Sequence, residues 1–128
     1  MKHVLSHELL PHRQPFLMLD RIVSVSDGKA SGVKHITNEL LSNSIYFPQV
    51  LIIEALAQIS GIASGVKGHG MLAGVKDIVF HRNVKQGDIL YLESSLIGRF
   101  GNMFSFSASA SVDKYRVADG TLYLNIYD

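Results

Sequence analysis

The sequence predicts an α+β domain in which an antiparallel sheet wraps round one long central helix. Three observations carry that reading. Residues 48–65 are apolar on almost every side, the mark of a buried helix. Residues 103–112 alternate, with Met103, Ser105, Ser107, Ser109 and Ser111 against Phe104, Phe106, Ala108, Ala110 and Val112, the period of a half-buried antiparallel strand. The remaining second half is strand after strand punctuated by turn residues. A sheet closed round one helix is the simplest way to bury that helix.

Taken in order, residues 3–10 read as a short helix stopped at Pro11, since proline does not continue a helix. Residues 16–26 and 29–37 flank Asp27-Gly28, a strong hairpin signal. Residues 38–46 form a polar, turn-rich loop. The helix starts beside Pro48. Its only polar interruptions before Ser60 are Gln49, Glu54 and Gln58. Gly65 to Gly70 reads as a flexible glycine-rich loop. Strands follow over 71–84, 89–98, 103–112 and 115–127, separated by Gly87-Asp88, Gly101-Asn102 and Asp113-Lys114.

Composition narrows the classes of function. The chain has 128 residues, 47% hydrophobic and 18% charged, which fits one well-packed domain spanning the whole of 1–128. A net charge of +1 gives no global field to recruit nucleic acid or an anionic membrane. Cysteine is absent, which removes disulfides, thiolate metal sites and a cysteine nucleophile and leans towards a reducing, cytoplasmic compartment. The first residues lack the apolar core of a signal peptide. The most apolar run, 50–62, is interrupted by Glu54 and Gln58 and is too short to span a bilayer.

Three motifs carry a family resemblance. Leu10-Pro11-His12-Arg13-Gln14-Pro15-Phe16-Leu17-Met18-Leu19-Asp20-Arg21 resembles the opening of the FabZ-type β-hydroxyacyl-(acyl carrier protein) dehydratases, relatives of FabA. Val50-Leu51-Ile52-Ile53-Glu54-Ala55-Leu56-Ala57-Gln58 resembles their central helix. Gly74-Val75-Lys76 and Phe80-His81-Arg82-Asn83-Val84-Lys85-Gln86-Gly87-Asp88 resemble their third motif. The likeness runs over nearly the whole chain, in order. It implies a hot-dog fold, a homodimer, no cofactor, and acyl thioesters carried on acyl carrier protein.

The chain departs from the pattern at one place. The family carries a His-Phe-Pro-Gly segment before the helix and a second Pro-Gly at its start. Here 40–49 is several residues shorter, and no histidine lies between His35 and His69. Aligned from the left, the catalytic histidine falls on Ile45; aligned on Phe47-Pro48, it falls on Tyr46. Gln49 stands at the helix-start glycine. The resemblance therefore carries over one catalytic residue, Glu54. A histidine brought in by folding, such as His35 or His81, would restore an acid and base pair.

The residues themselves support several chemistries. A carboxyl in an apolar helix costs several kcal/mol unless it is paired, protonated or reached by solvent. Burial of Glu54 would favour its proton-carrying form, which suits a general acid. Gln58 lies one turn on, within reach of Glu54; a structural amide is the plainer reading. Pro48, Gln49 and Val50 open the helix, where free amides could hold a thioester carbonyl. Tyr46 is the candidate to replace histidine, although a phenol is a poor base at neutral pH.

Lys76, His81, Arg82 and Lys85 fall in one segment and could dock an acidic carrier, or simply form a solvated strand face. His3 and His7 are spaced i, i+4, with no third or fourth metal ligand evident, so no metal is expected. Dehydration of β-hydroxyacyl thioesters ranks first, hydrolysis of thioesters by a lone helix carboxylate second, and a non-catalytic acyl-carrier-binding subunit third.

Overall fold

The computed structural model describes residues 19–37, 41 and 45–127. The expected helix over 3–10, with His3 and His7, and most of the 38–46 loop lie outside them. Among the described residues, six strands and one long helix follow in the order β1 (Arg21–Ser26), β2 (Lys29–His35), α1 (Gln49–Ala63), β3 (His69–Phe80), β4 (Ile89–Phe100), β5 (Met103–Val112) and β6 (Tyr115–Tyr127). All six strands join one antiparallel sheet in the order β1-β2-β4-β5-β6-β3. The hairpin about Asp27-Gly28 forms as expected. No helix among the described residues is long and apolar enough to cross a membrane.

Two hairpins hold the middle of the sheet. The β5–β6 turn places Asp113 and Lys114 at φ 49° and 73°, a primed turn whose twist matches that of its flanking strands. In β5 the alternation read from the sequence holds. Phe104, Phe106, Ala108 and Ala110 are buried, while the serines face outwards in rows with their neighbours. One row runs Ser24–Ser31–Glu93–Ser109–Asp119 across five strands.

The concave face of the sheet receives α1. Ile52, Ala55, Leu56, Ile59, Ile62 and Ala63 pack against Leu90, Leu92, Phe104, Phe106, Leu122 and Leu124. Each fully buried aliphatic side chain there contributes roughly 2 kcal/mol. Ser60, also on this face, keeps its hydroxyl satisfied by donating to the Leu56 carbonyl at 2.7 Å and accepting from the Ser94 hydroxyl at 2.7 Å. The helix ends at Gly65, whose φ of 73° takes the left-handed step that closes many helices. There the Gly65 amide donates to the Ile62 carbonyl at 3.2 Å.

Four sequence expectations change. Leu19 and Asp20 lie outside strand β1, which begins at Arg21; Phe16 to Met18 lie outside the described residues. Strand β4 runs on to Phe100 and bulges at Ile97. Strand β3 begins at His69, taking two residues from the expected glycine loop, and ends at Phe80, not Val84. Beyond Phe80 the His81 amide still reaches the Val117 carbonyl of β6 at 2.7 Å, and the chain then turns to the helix entry, where the Val84 carbonyl accepts the Phe47 amide at 2.7 Å. Nor is α1 buried on every side. Val50 is 68% exposed and Glu54 is exposed as well, because the sheet curls round one side of the helix only.

Strand β3, at one edge of the sheet, bulges between Lys76 and Val79, with Asp77 at φ 55°. The bulge pushes Ile78 over Gly120 of β6. A Cβ added at Gly120 would meet the Ile78 side chain and lie 2.8 Å from the Ile78 Cα. The backbone of one strand therefore rests on the bare Cα of the other. The substitution Gly120→Ala should lower stability to denaturant by roughly 1–3 kcal/mol, as overpacking does. An unchanged denaturation midpoint would show that the bulge slides freely.

Candidate active site

The site is built where the chain enters α1. Phe47 is 2% exposed and its amide donates to the Val84 carbonyl. Tyr46 forms an isolated antiparallel bridge with Lys85. The residues that cross the open end of the sheet, 81–88, thus form a strap under the helix entry. Pro48 is the N-cap, with φ −60° and ψ 136° and no side-chain capping bond. The Leu51 amide turns back to the Pro48 carbonyl at 3.0 Å. Amides at the head of the first turn have no helical acceptor and point along the positive end of the dipole.

Helical spacing puts Val50, Glu54 and Gln58 in one stripe, i, i+4, i+8. Val50 and Glu54 are exposed and Gln58 is half-buried. Tyr46, 45% exposed, stands just before this stripe. The structure therefore gathers six of the sequence-predicted residues, Tyr46, Pro48, Gln49, Val50, Glu54 and Gln58, at one helix start and its open face. What differs from expectation is the environment. Glu54 is not dehydrated by its own chain, since the stripe faces away from the core. Ile45, 77% exposed, adds apolar surface at the same place. Hydropathy had marked Val50 as core.

The basic residues separate. Lys85 is exposed and lies across from Tyr46, at the site itself. Arg82 stacks over the Tyr115 ring, 4.2 Å from its centroid, at the start of β6. Lys76 lies on β3 in register with Thr121, on the outer face. His81 joins Asp119 through Nε2 at 2.8 Å, and Arg116 approaches the same carboxylate oxygen at 3.7 Å. That pairing holds His81 on the outer face, with the sheet between it and α1. His35 follows Lys34, whose buried amine meets Asp20 Oδ1 at 3.2 Å. Strand alternation turns His35 the other way. Neither histidine is brought beside Glu54 within the chain.

A polar groove of about 430 Å³ lies on the outer face among Asp77, Glu93, Ser95, Ser109, Arg116 and Asp119. It contains none of the predicted site residues, and its carboxylates and hydroxyls do not suit an acyl chain.

Comparison with known proteins decides the family. The model of the ApeP-like family, described as ApeP dehydratase, matches residues 5–127. The chain belongs to the ApeP-like dehydratases. It is 39% identical over 132 residues to the 3-hydroxyacyl-(acyl-carrier-protein) dehydratase FabZ of Caldicellulosiruptor bescii, covering 93% of this chain and 94% of the relative. It is 42% identical over 119 residues to FabZ of Bacillus subtilis, covering 83% and 84%. Among solved structures, the dehydratase heterocomplex ApeI:P from Xenorhabdus doucetiae superposes with a TM-score of 0.89 over 99% of this chain and 93% of that one, at 21% identity. A hypothetical thioesterase with coenzyme A from Streptococcus pneumoniae superposes with a TM-score of 0.72 over 83% and 84%, at 15% identity. This ApeP-like chain has the hot-dog fold, a curled antiparallel sheet round one helix, and is dehydratase-like.

Proposed function

We propose that this chain acts as a dehydratase subunit on β-hydroxyacyl thioesters delivered by acyl carrier protein. The observation that carries the reading is Glu54 on the open stripe of α1, one turn beyond the free amides of the helix start, which Tyr46 precedes. Its relatives' names, 3-hydroxyacyl-(acyl-carrier-protein) dehydratase FabZ, supply the substrate class.

Dehydration needs a proton taken from the α-carbon and a proton given to the departing β-hydroxyl. In this reading Glu54, as the carboxylic acid, protonates the hydroxyl while the carbon–oxygen bond breaks and water leaves. The α-proton passes to Tyr46 or to a water held by Glu54, and its bonding pair becomes the new double bond. Negative charge that gathers on the thioester oxygen is met by the amides of Gln49 and Val50. Gln58 orients the Glu54 carboxyl.

The open stripe calls for a cover. Strand β3 is an edge strand with no further partner among the described residues, and Met71, Leu72, Val75 and Val79 are exposed along it. A second copy paired edge to edge through β3 would continue the sheet and shelter apolar surface that a monomer leaves wet. Lys85 lies at the helix entry, Arg82 at the start of β6 and Lys76 on β3, three separate cations to which an acidic carrier would be drawn. The proposed setting is the cytoplasm.

A second reading is favoured by one observation, the tyrosine at the position before Phe47-Pro48. The chain would then be the non-catalytic half of an assembly with a different dehydratase chain. The name of the Xenorhabdus heterocomplex is in keeping with it.

Three experiments test these readings. Sedimentation at micromolar concentration should show a dimer or a multiple of it; a well-folded monomer would sink the self-paired model. The purified protein should hydrate an enoyl thioester or dehydrate its β-hydroxy counterpart, and Glu54→Gln should abolish this. Glu54-dependent thiol release from a saturated acyl thioester would point to a thioesterase instead. Carrier binding without turnover would select the non-catalytic subunit. Finally, Arg82→Glu with Lys85→Glu should weaken binding to an acidic carrier protein, with a loss that shrinks as salt rises. Unchanged binding at low salt would leave those residues as plain surface.

A further inference from the structure

The geometry points to Asp88 as the positioning residue of the helix start, acting on Tyr46 and the first turn of α1 through the backbone of Lys85. This rests on the reading of the α1 start as the thioester site.

The chain of contacts is short. One carboxylate oxygen of Asp88, Oδ2, accepts the Lys85 amide at 2.9 Å. The Asp88 amide donates to the Lys85 carbonyl at 3.1 Å. The two bonds close residues 85–88 into a turn held from both ends. That turn is docked onto β2 by two more bonds. The Ile36 amide donates to the Asp88 carbonyl at 3.0 Å, and the Gly87 amide to the Ile36 carbonyl at 2.9 Å. On the other side of the strap, Tyr46 bridges Lys85 and the Phe47 amide reaches the Val84 carbonyl at 2.7 Å. Pro48 and the first turn of α1 follow at once.

Among these contacts the bond to Asp88 Oδ2 is the one a side chain makes. A hydrogen bond to a carboxylate is shorter and stronger than one between neutral groups. Without it the Lys85 amide has no acceptor, and the segment opposite Tyr46 can shift. Val84 and Phe47 are 0% and 2% exposed, so the strap is held in the core beside Lys85. A shift at Lys85 is then felt by its bridge partner Tyr46 and by the adjoining Phe47–Val84 bond, while the fold as a whole persists. Asp88 does not touch the proposed substrate position. It holds the level at which the chain enters α1, and with it the distance from Tyr46 to Glu54.

The test uses the full chain and two variants, Asp88→Ala and Asp88→Asn. Misplacement by about an ångström can cost up to a hundredfold in rate, so Asp88→Ala should lower kcat by about tenfold or more, with KM for the acyl thioester nearly unchanged. Asp88→Asn keeps an acceptor oxygen in place and should recover most of that loss. A change confined to KM, an unchanged kcat, or an Asn variant as slow as the Ala variant would overturn the inference.

A second readout does not depend on turnover. Amide hydrogen exchange at Lys85 should quicken at least tenfold in Asp88→Ala, and exchange at Phe47 should quicken with it. Exchange at Leu92 and Phe106, in the middle of the sheet, should stay as in the wild type. If Phe47 exchange does not change, Asp88 does not position the helix entry. If the wild type turns over no thioester while the exchange pattern is as expected, the functional reading fails and the positioning role stands. Should Asp88→Ala fail to fold, the Asn variant decides the matter alone: near-normal exchange at Phe47 supports the acceptor role, and quickened exchange overturns it.

Discussion

The dry contact between α1 and the concave face of the sheet sets the position of everything else. Ile52, Leu56 and Ile59 leave no room for water against Leu90, Leu92 and Phe106, and a close-packed interface of that kind tolerates little displacement. With this side of the helix fixed, the opposite side is fixed too. Val50, Glu54 and Gln58 face outwards because Ile52, Ala55, Leu56 and Ile59 face inwards. The chemistry proposed for Glu54 is thus a by-product of helical geometry: a polar stripe held still by an apolar one.

Such an arrangement separates stability from function along a single helix. The inner stripe carries the burial energy and can be satisfied by one chain. The outer stripe, with its exposed valine and carboxyl, gains nothing from the fold and remains available to a ligand or to another subunit. The helix entry is the one place where the two demands meet. There Phe47 is core and its neighbour Tyr46 is surface, so a single residue step converts packing into position.

Much of the fold was legible in the sequence because its signals are periodic. In β5, ten residues alternate without a break and the strand falls where the pattern places it. The Asp113-Lys114 and Gly101-Asn102 turns mark the neighbouring ends as well. Less could be read where backbone contacts decide. Nothing in the composition of 81–84 says that strand β3 ends at Phe80 or that the Val84 carbonyl will meet the Phe47 amide, a backbone contact between segments far apart in the chain. The helix posed a different difficulty. Val50 and Ile52 are equally apolar, yet only one is core; hydropathy records dislike of water, not which surface relieves it. The proposed site residues Tyr46 to Gln58 lie together in the structure because they are neighbours in the chain. The separation of Arg82 from Lys85 was hidden, since each is drawn by a partner distant in sequence, Tyr115 or Tyr46.

The serine rows on the outer face have an effect of their own. Short hydroxyls at Ser105, Ser107, Ser109 and Ser111 contribute little burial, while Phe104 and Phe106 on the other side of β5 contribute much. A slip of one residue in that strand would drive the serines into the core and the phenylalanines into water. All information about register is therefore written on one side of the strand. The other side is left as spare surface that evolution or an engineer can rewrite without disturbing the helix it encloses.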